Sequence, residues 1–132
     1  MTSLLQIQLS PSHDEAVQFL VINDERDAAQ FEFLTSQESA AFSVSPDVAG
    51  QLLGLARVVA LVVKKPFRAS IDGVHVAIFL EEEPHAPTEV QLLASRRSPC
   101  LELVTLCAKI AAQNTKKPET IQIMASIRRY FD

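Results

Sequence analysis

Two stretches of the chain, SPDVAGQLLGLARVVALVVKKP at 45–66 and SPCLELVTLCAKIAAQNTKKP at 98–118, open and close with the same punctuation. Ser-Pro is helix-initiating chemistry, because a serine hydroxyl can accept from a free N–H of the first turn and the fixed φ of proline suits the first helical position. Lys-Lys-Pro is helix-ending chemistry: cations favour the negative end of the helix dipole, and proline cannot continue the hydrogen-bond ladder. Each stretch follows three strand-like segments, so the chain reads as a degenerate pair of βββα units, about 1–63 and 64–132. Generic capping accounts for the same punctuation, and the sequence leaves duplication and coincidence as equal readings.

The strand-like segments are defined by alternation and by what interrupts them. Leu4 to Leu9 ends at Ser10-Pro11. Val17 to Ile22 and Gln30 to Leu34 flank the polar run Asn23 to Asp27 in the manner of a hairpin, and a short segment Ala41 to Val44 follows. The first helix is expected from Pro46, after an N-cap at Ser45, to about Val62. Beyond it, Phe67 to Ile71 and Val74 to Leu80 flank Asp72-Gly73, the signature of a two-residue hairpin turn. A further strand is expected at Glu89 to Ala94. The second helix should open at Ser98-Pro99 and run to about Gln113, with Cys100, Leu103, Val104, Cys107 and Ala111 along one apolar stripe. The tail from Pro118 to Phe131 fits a strand and a helix equally. The fold expected is a single α+β domain, a largely antiparallel sheet with two main helices packed on one face.

Gly50 and Gly54 stand inside the first helical stretch, where each costs about 1 kcal/mol relative to alanine. Two things could offset that cost. One is close approach of the helix to the sheet beneath it, the favoured reading; the other is a flat helical face used by a second subunit.

At 132 residues with 48% hydrophobic and 21% charged residues, the chain can bury a core without a disulfide or metal. The net charge of −4 has the wrong sign for a phosphate backbone, so nucleic acid is not an expected partner. The acidity is uneven. Residues 1–63 balance at −6 and residues 64–132 at +2. Val48 to Val63 is too short and too interrupted by Gln51 and Arg57 to span a bilayer, and no membrane association is expected. The N-terminal Met-Thr-Ser-Leu-Leu-Gln-Ile-Gln lacks the features of a signal peptide. Cys100 and Cys107, if helical, stand about 10 Å apart along the axis, beyond the reach of a disulfide. A cytoplasmic protein is expected.

No catalytic grouping is legible. His13, His75 and His85 have no metal-ligand spacing, the three glycines cannot form a phosphate-binding loop, and no nucleophile elbow occurs. A non-enzymatic protein without metal or cofactor is the expectation. A small enzyme whose site is assembled from loops is a lesser reading, and the three histidines would be its first candidates.

In pattern, the Asp72-Gly73 hairpin, the strand after it and the short apolar helix, together Phe67 to Gln113, resemble small bacterial immunity proteins that neutralise a cognate toxin. The resemblance implies a cytoplasmic binding protein of the immunity or antitoxin kind, with no residue roles to carry over. The acidic turns then gain a meaning beyond solvated loops. Asp24, Glu25 and Asp27, with Glu81, Glu82 and Glu83, would steer and orient a basic partner, such as a toxin surface. The alternative of similar size and acidity is a secretion chaperone or adaptor, a homodimer that holds an extended, secreted client.

Overall fold

The computed structural model of the chain describes residues 2–11, 16–24, 29–63 and 74–131. Four strands come first, β1 (Thr2–Pro11), β2 (Val17–Asp24), β3 (Ala29–Leu34) and β4 (Ser39–Val44), followed by helix α1 (Pro46–Val62). Strands β5 (Val74–Glu82) and β6 (Thr88–Leu93) precede helices α2 (Leu101–Gln113) and α3 (Pro118–Ile127), and a 3-10 turn over Arg128–Phe131 closes the fold. The strands form one antiparallel sheet in the order β4-β3-β2-β1-β5-β6. The α+β class expected from the sequence is the one observed.

Alternation decides which face is dry. Leu5, Ile7 and Leu9 stand opposite Val21, Phe19 and Val17 on one side and Leu80, Ile78 and Val76 on the other, and all nine are buried. The row continues outward through Phe31 and Phe33 in β3 and through Val90 and Leu92 in β6. The helices cover this face. Leu52, Leu53, Ala56 and Val59 of α1, Leu103, Val104, Cys107 and Ala111 of α2, and Met124 and Ile127 of α3 belong to the same core cluster. The apolar stripe expected on α2 is therefore its buried face.

The first helix begins as its sequence dictates. The Ser45 hydroxyl accepts from the Val48 N–H at 3.2 Å, Pro46 takes the first helical position and Asp47 sits in the first turn. The second starts later than Ser98-Pro99 suggests. The Leu101 N–H donates to the Ser98 carbonyl at 3.2 Å and the Cys100 N–H to the Ser98 hydroxyl at 3.4 Å, which spends Ser98 and Pro99 on a turn. The identical Ser-Pro signals thus have different geometries. The tail resolves as helix: Pro118 takes its first turn and Thr120, Met124 and Ile127 its buried face. A third, shorter helix thus joins the two main helices on the covered side of the sheet.

Two further expectations are corrected. Over Val74 to Leu80 both edges of β5 are taken, by β1 and by β6, so its ladder partners are not the other arm of an Asp72-Gly73 hairpin. That arm, Phe67 to Ile71, and the turn itself lie outside the described residues. Gly50 and Gly54 do not mark a close approach to the sheet, because a Cβ built on either meets no atom within 4 Å. The duplication has only a partial counterpart. β1 and β5 are antiparallel neighbours at the centre, with β2 and β6 beside them, but four strands precede α1 and two described strands separate α1 from α2.

With open space at both glycines, Gly50→Ala and Gly54→Ala should each stabilise the chain by about 0.5–1 kcal/mol, by restricting the unfolded backbone and favouring helix. Urea unfolding measures this directly. An unchanged or lower midpoint would mean that the glycine face is occupied.

Candidate functional site

The acidic residues expected to meet a partner lie far apart in sequence, and the sheet brings several of them together. Thr2, at the start of β1, stands opposite Asp24 in β2, while on its other side the Glu83 N–H donates to the Thr2 carbonyl at 3.3 Å. The Thr2 N–H in turn donates to the Glu83 carboxylate at 3.3 Å. Because β2 and β5 both flank β1, the two acidic ends lie about 10 Å apart. Glu81 stands opposite Leu4, one register step further in.

Pleating separates Glu81 from Glu82. Glu81 projects on the side away from the helices, with Leu4 and Asp24, whereas Glu82 lies on the helix side and is held by Arg57 of α1. The guanidinium reaches both carboxylate oxygens, with Nε at 2.8 and 3.0 Å. The hydrogen bonds from Arg57 hold the Glu82 carboxyl below its ordinary range, and the same contact raises the guanidinium. Glu82 is thereby committed to joining α1 to β5. Glu25 and Asp27 lie outside the described residues.

No described element covers the side of the sheet away from the helices. Its central positions are Leu4, Leu20, Ile22 and Phe79, all half-buried, with Gln6 between Leu20 and Phe79. Glu32 stands opposite Leu20 and Glu89 opposite Phe79. Among the described residues, no strand contains a lysine or arginine: each one from Arg57 to Arg129 lies in a helix, the 3-10 turn or a connection next to the helices. Asp24, Glu32, Glu81 and Glu89 thus form an acidic strand layer drawn from both halves of the sequence, whereas every described cation lies in the helix layer or its connections, alongside Asp47, Glu102 and Glu119. A shallow depression of about 380 Å³ on the β2–β4 side of the open face is lined by Gln18, Leu20, Glu32, Leu34, Ser39 and Ala41, among others. Leu34 is 49% exposed.

Among the described residues, groups that could do chemistry are not gathered. His75 faces Ser10 and Leu93 near the start of β5, His85 lies in the turn after its far end, and His13 is outside the described residues. Cys100 and Cys107 are free and buried, and burial pushes both thiols up, away from the reactive thiolate. A cleft of about 320 Å³ between the start of β2, the β3–β4 turn and α3 carries Glu119, Gln122, Ser126 and Tyr130 but no nucleophile–base pair. Among the described residues no group of three or more His, Cys, Asp or Glu could hold a metal, and no helix is long and apolar enough to cross a membrane.

Beside that cleft, Glu38 in the β3–β4 turn accepts from the hydroxyls of Thr115 and Thr120, the latter at 2.8 Å, and Lys117 Nζ donates to the Gln37 carbonyl at 2.9 Å. The Thr115 and Thr120 hydrogen bonds hold the Glu38 carboxyl below its ordinary value. A depressed carboxylate contributes stability that is complete above the unfolded pKa, about 4.3, and is lost as pH falls through the folded value. Glu38→Gln should therefore lower the urea midpoint near neutral pH and converge with the parent below about pH 4. Parallel curves across the acid range would remove Glu38 from this role.

Comparison with known protein families, with characterised proteins and with solved structures gives no match for this chain. The fold and surface define a class: an α+β protein with one helix-covered and one open sheet face, the open face bearing acids around an apolar centre.

Proposed function

We propose that this chain is a non-catalytic protein-binding module of the immunity or antitoxin kind, which engages the basic surface of a partner protein through its acidic strand layer. The observation that carries the reading is one-signed charge. Asp24, Glu32, Glu81 and Glu89 share a sheet face on which no described lysine or arginine stands. Such a surface accelerates encounter with a basic partner and opposes binding of acidic ones.

The test uses affinity purification and then the purified pair. The parent chain should recover a basic partner protein, and Asp24→Lys combined with Glu81→Lys should weaken that complex by about tenfold or more, with a shallower dependence on salt. Both side chains lie half-buried on the open side, away from the core, and circular dichroism of the variant checks that the fold is kept. Unchanged affinity in the reversed variant sinks the acidic-surface reading.

A second reading, the homodimeric chaperone or adaptor, has its own support. Strand β4, Ser-Ala-Ala-Phe-Ser-Val, is a sheet edge with no charge and no proline, six residues in unbroken register with β3. Edges of this kind pair readily with another strand. Sedimentation separates the two: a compact monomer at micromolar concentration counts against the chaperone.

A further inference from the structure

Resting on the protein-binding reading, we propose that the open sheet face is the docking surface and that its occupant is a basic, partly apolar segment of another protein. Four apolar side chains occupy the centre, and each has a carboxylate beside it: Leu20 has Glu32, Leu4 has Glu81, Phe79 has Glu89 across the ladder, and Ile22 has Asp24 two residues along β2. That pattern asks for apolar groups with cations at their flanks, at a spacing of roughly 5 Å from strand to strand.

The depression on the β2–β4 side sharpens the chemistry. Leu20, Leu34 and Ala41 line it, and Glu32 stands among them, its carboxylate accepting from Gln30 Nε2 at 3.3 Å. A hollow of mixed lining, with Leu20 and Leu34 beside Gln18, Ser39 and the Glu32 carboxylate, suits a lysine or arginine, whose methylene stem packs on the leucines while its head meets the carboxylate. Two copies meeting through these faces would set carboxylate against carboxylate, which disfavours a symmetric dimer here. A second copy offering its cationic helix layer would instead bind head to tail, giving a ring or an open filament whose assembly depends on concentration.

The experiment titrates the intact, isotope-labelled chain with a synthetic ten-residue peptide of alternating arginine and leucine, and with counterparts carrying glutamate for arginine or serine for leucine. Backbone amide shifts should move at Leu20, Ile22, Glu32 and Phe79 with the parent peptide. Both counterparts should bind at least tenfold more weakly. Glu32→Lys combined with Glu89→Lys should cost tenfold or more, whereas Glu102→Lys combined with Glu119→Lys, on the helix layer, should change affinity less than twofold. Shifts confined to the helix layer, equal binding of the acidic peptide, no binding at millimolar peptide, or concentration-dependent assembly of the chain in sedimentation would each overturn the proposal. A natural partner that is retained undiminished by the Glu32→Lys/Glu89→Lys protein overturns this face alone. Failure of the parent to retain any partner strikes the broader reading instead.

Discussion

Replacing Phe19 with alanine is expected to cost about 3–5 kcal/mol, the range for a buried aromatic whose site cannot fully collapse. Phe19 is fully buried in β2, opposite Ile7 on one side and Phe33 on the other, with its ring 5.9 Å from that of Phe31. Collapse around the lost ring is hindered from both neighbours, because β1 and β3 fix the backbone on either side. A small domain has only about 5–15 kcal/mol in total, so the variant should unfold at a much lower denaturant concentration or populate unfolded chain in buffer. Phe42→Ala supplies the contrast. Its ring stacks on Phe31 at 5.3 Å, but it lies half-buried on the edge strand, and a loss of about 1–2 kcal/mol is expected from the smaller area returned to water. Equal losses for the two would mean that the aromatic row is not anchored at Phe19.

The aromatic row shows how much of the fold could be read in advance. Phe31 and Phe33 stand in the alternating stretch Gln30-Phe31-Glu32-Phe33 and Phe19 in the apolar run Val17 to Ile22, and both patterns are local properties that survive any tertiary arrangement. Strand positions, the α1 cap and the buried stripe of α2 were legible for that reason. Pairing was not. The Asp72-Gly73 signal is a local turn preference, but β5 spends both edges on β1 and β6, and β1 lies more than sixty residues earlier in sequence. Which strand wins an edge depends on the summed burial of a whole face, which no four-residue window records.

The acidic surface was partly legible for the same physical reason. Sequence shows Glu81-Glu82-Glu83 as one run, and ending the strand at Leu80 leaves all three in a loop. Once β5 continues to Glu82, pleating sends Glu81 to the open face and Glu82 to Arg57 on α1. Glu32 and Glu89 are isolated acids in sequence, with no run or motif to mark them; they become part of the surface because their strands lie in register with β2 and β5. The cations are more strictly sorted than the acids: every described lysine and arginine lies in the helices or their connections, while the described acids divide between the strands and the helices and turns.

The second large effect is expected at Gln6, which contributes nothing to the core. Its side chain lies on the open face, and its backbone stands between Leu20 and Phe79 in the middle of β1, the strand that joins the two halves of the sheet. Proline there removes an N–H from an interior ladder and forces its ring between neighbouring strands, a placement essentially confined to edges and bulges in natural sheets. Gln6→Pro should cost about 3 kcal/mol or more, and circular dichroism should show loss of the sheet. Gln6→Ala, which keeps the N–H and deletes the same amide, should stay within about 0.5 kcal/mol of the parent. The pair isolates backbone from side chain. It also bears on the docking surface, since Leu4 is positioned from β1 and Leu20 and Phe79 from the strands β1 holds together. Gln6→Ala should therefore retain the arginine–leucine peptide, whereas a folded, peptide-binding Gln6→Pro protein would show that β1 is not the strand on which this face is built.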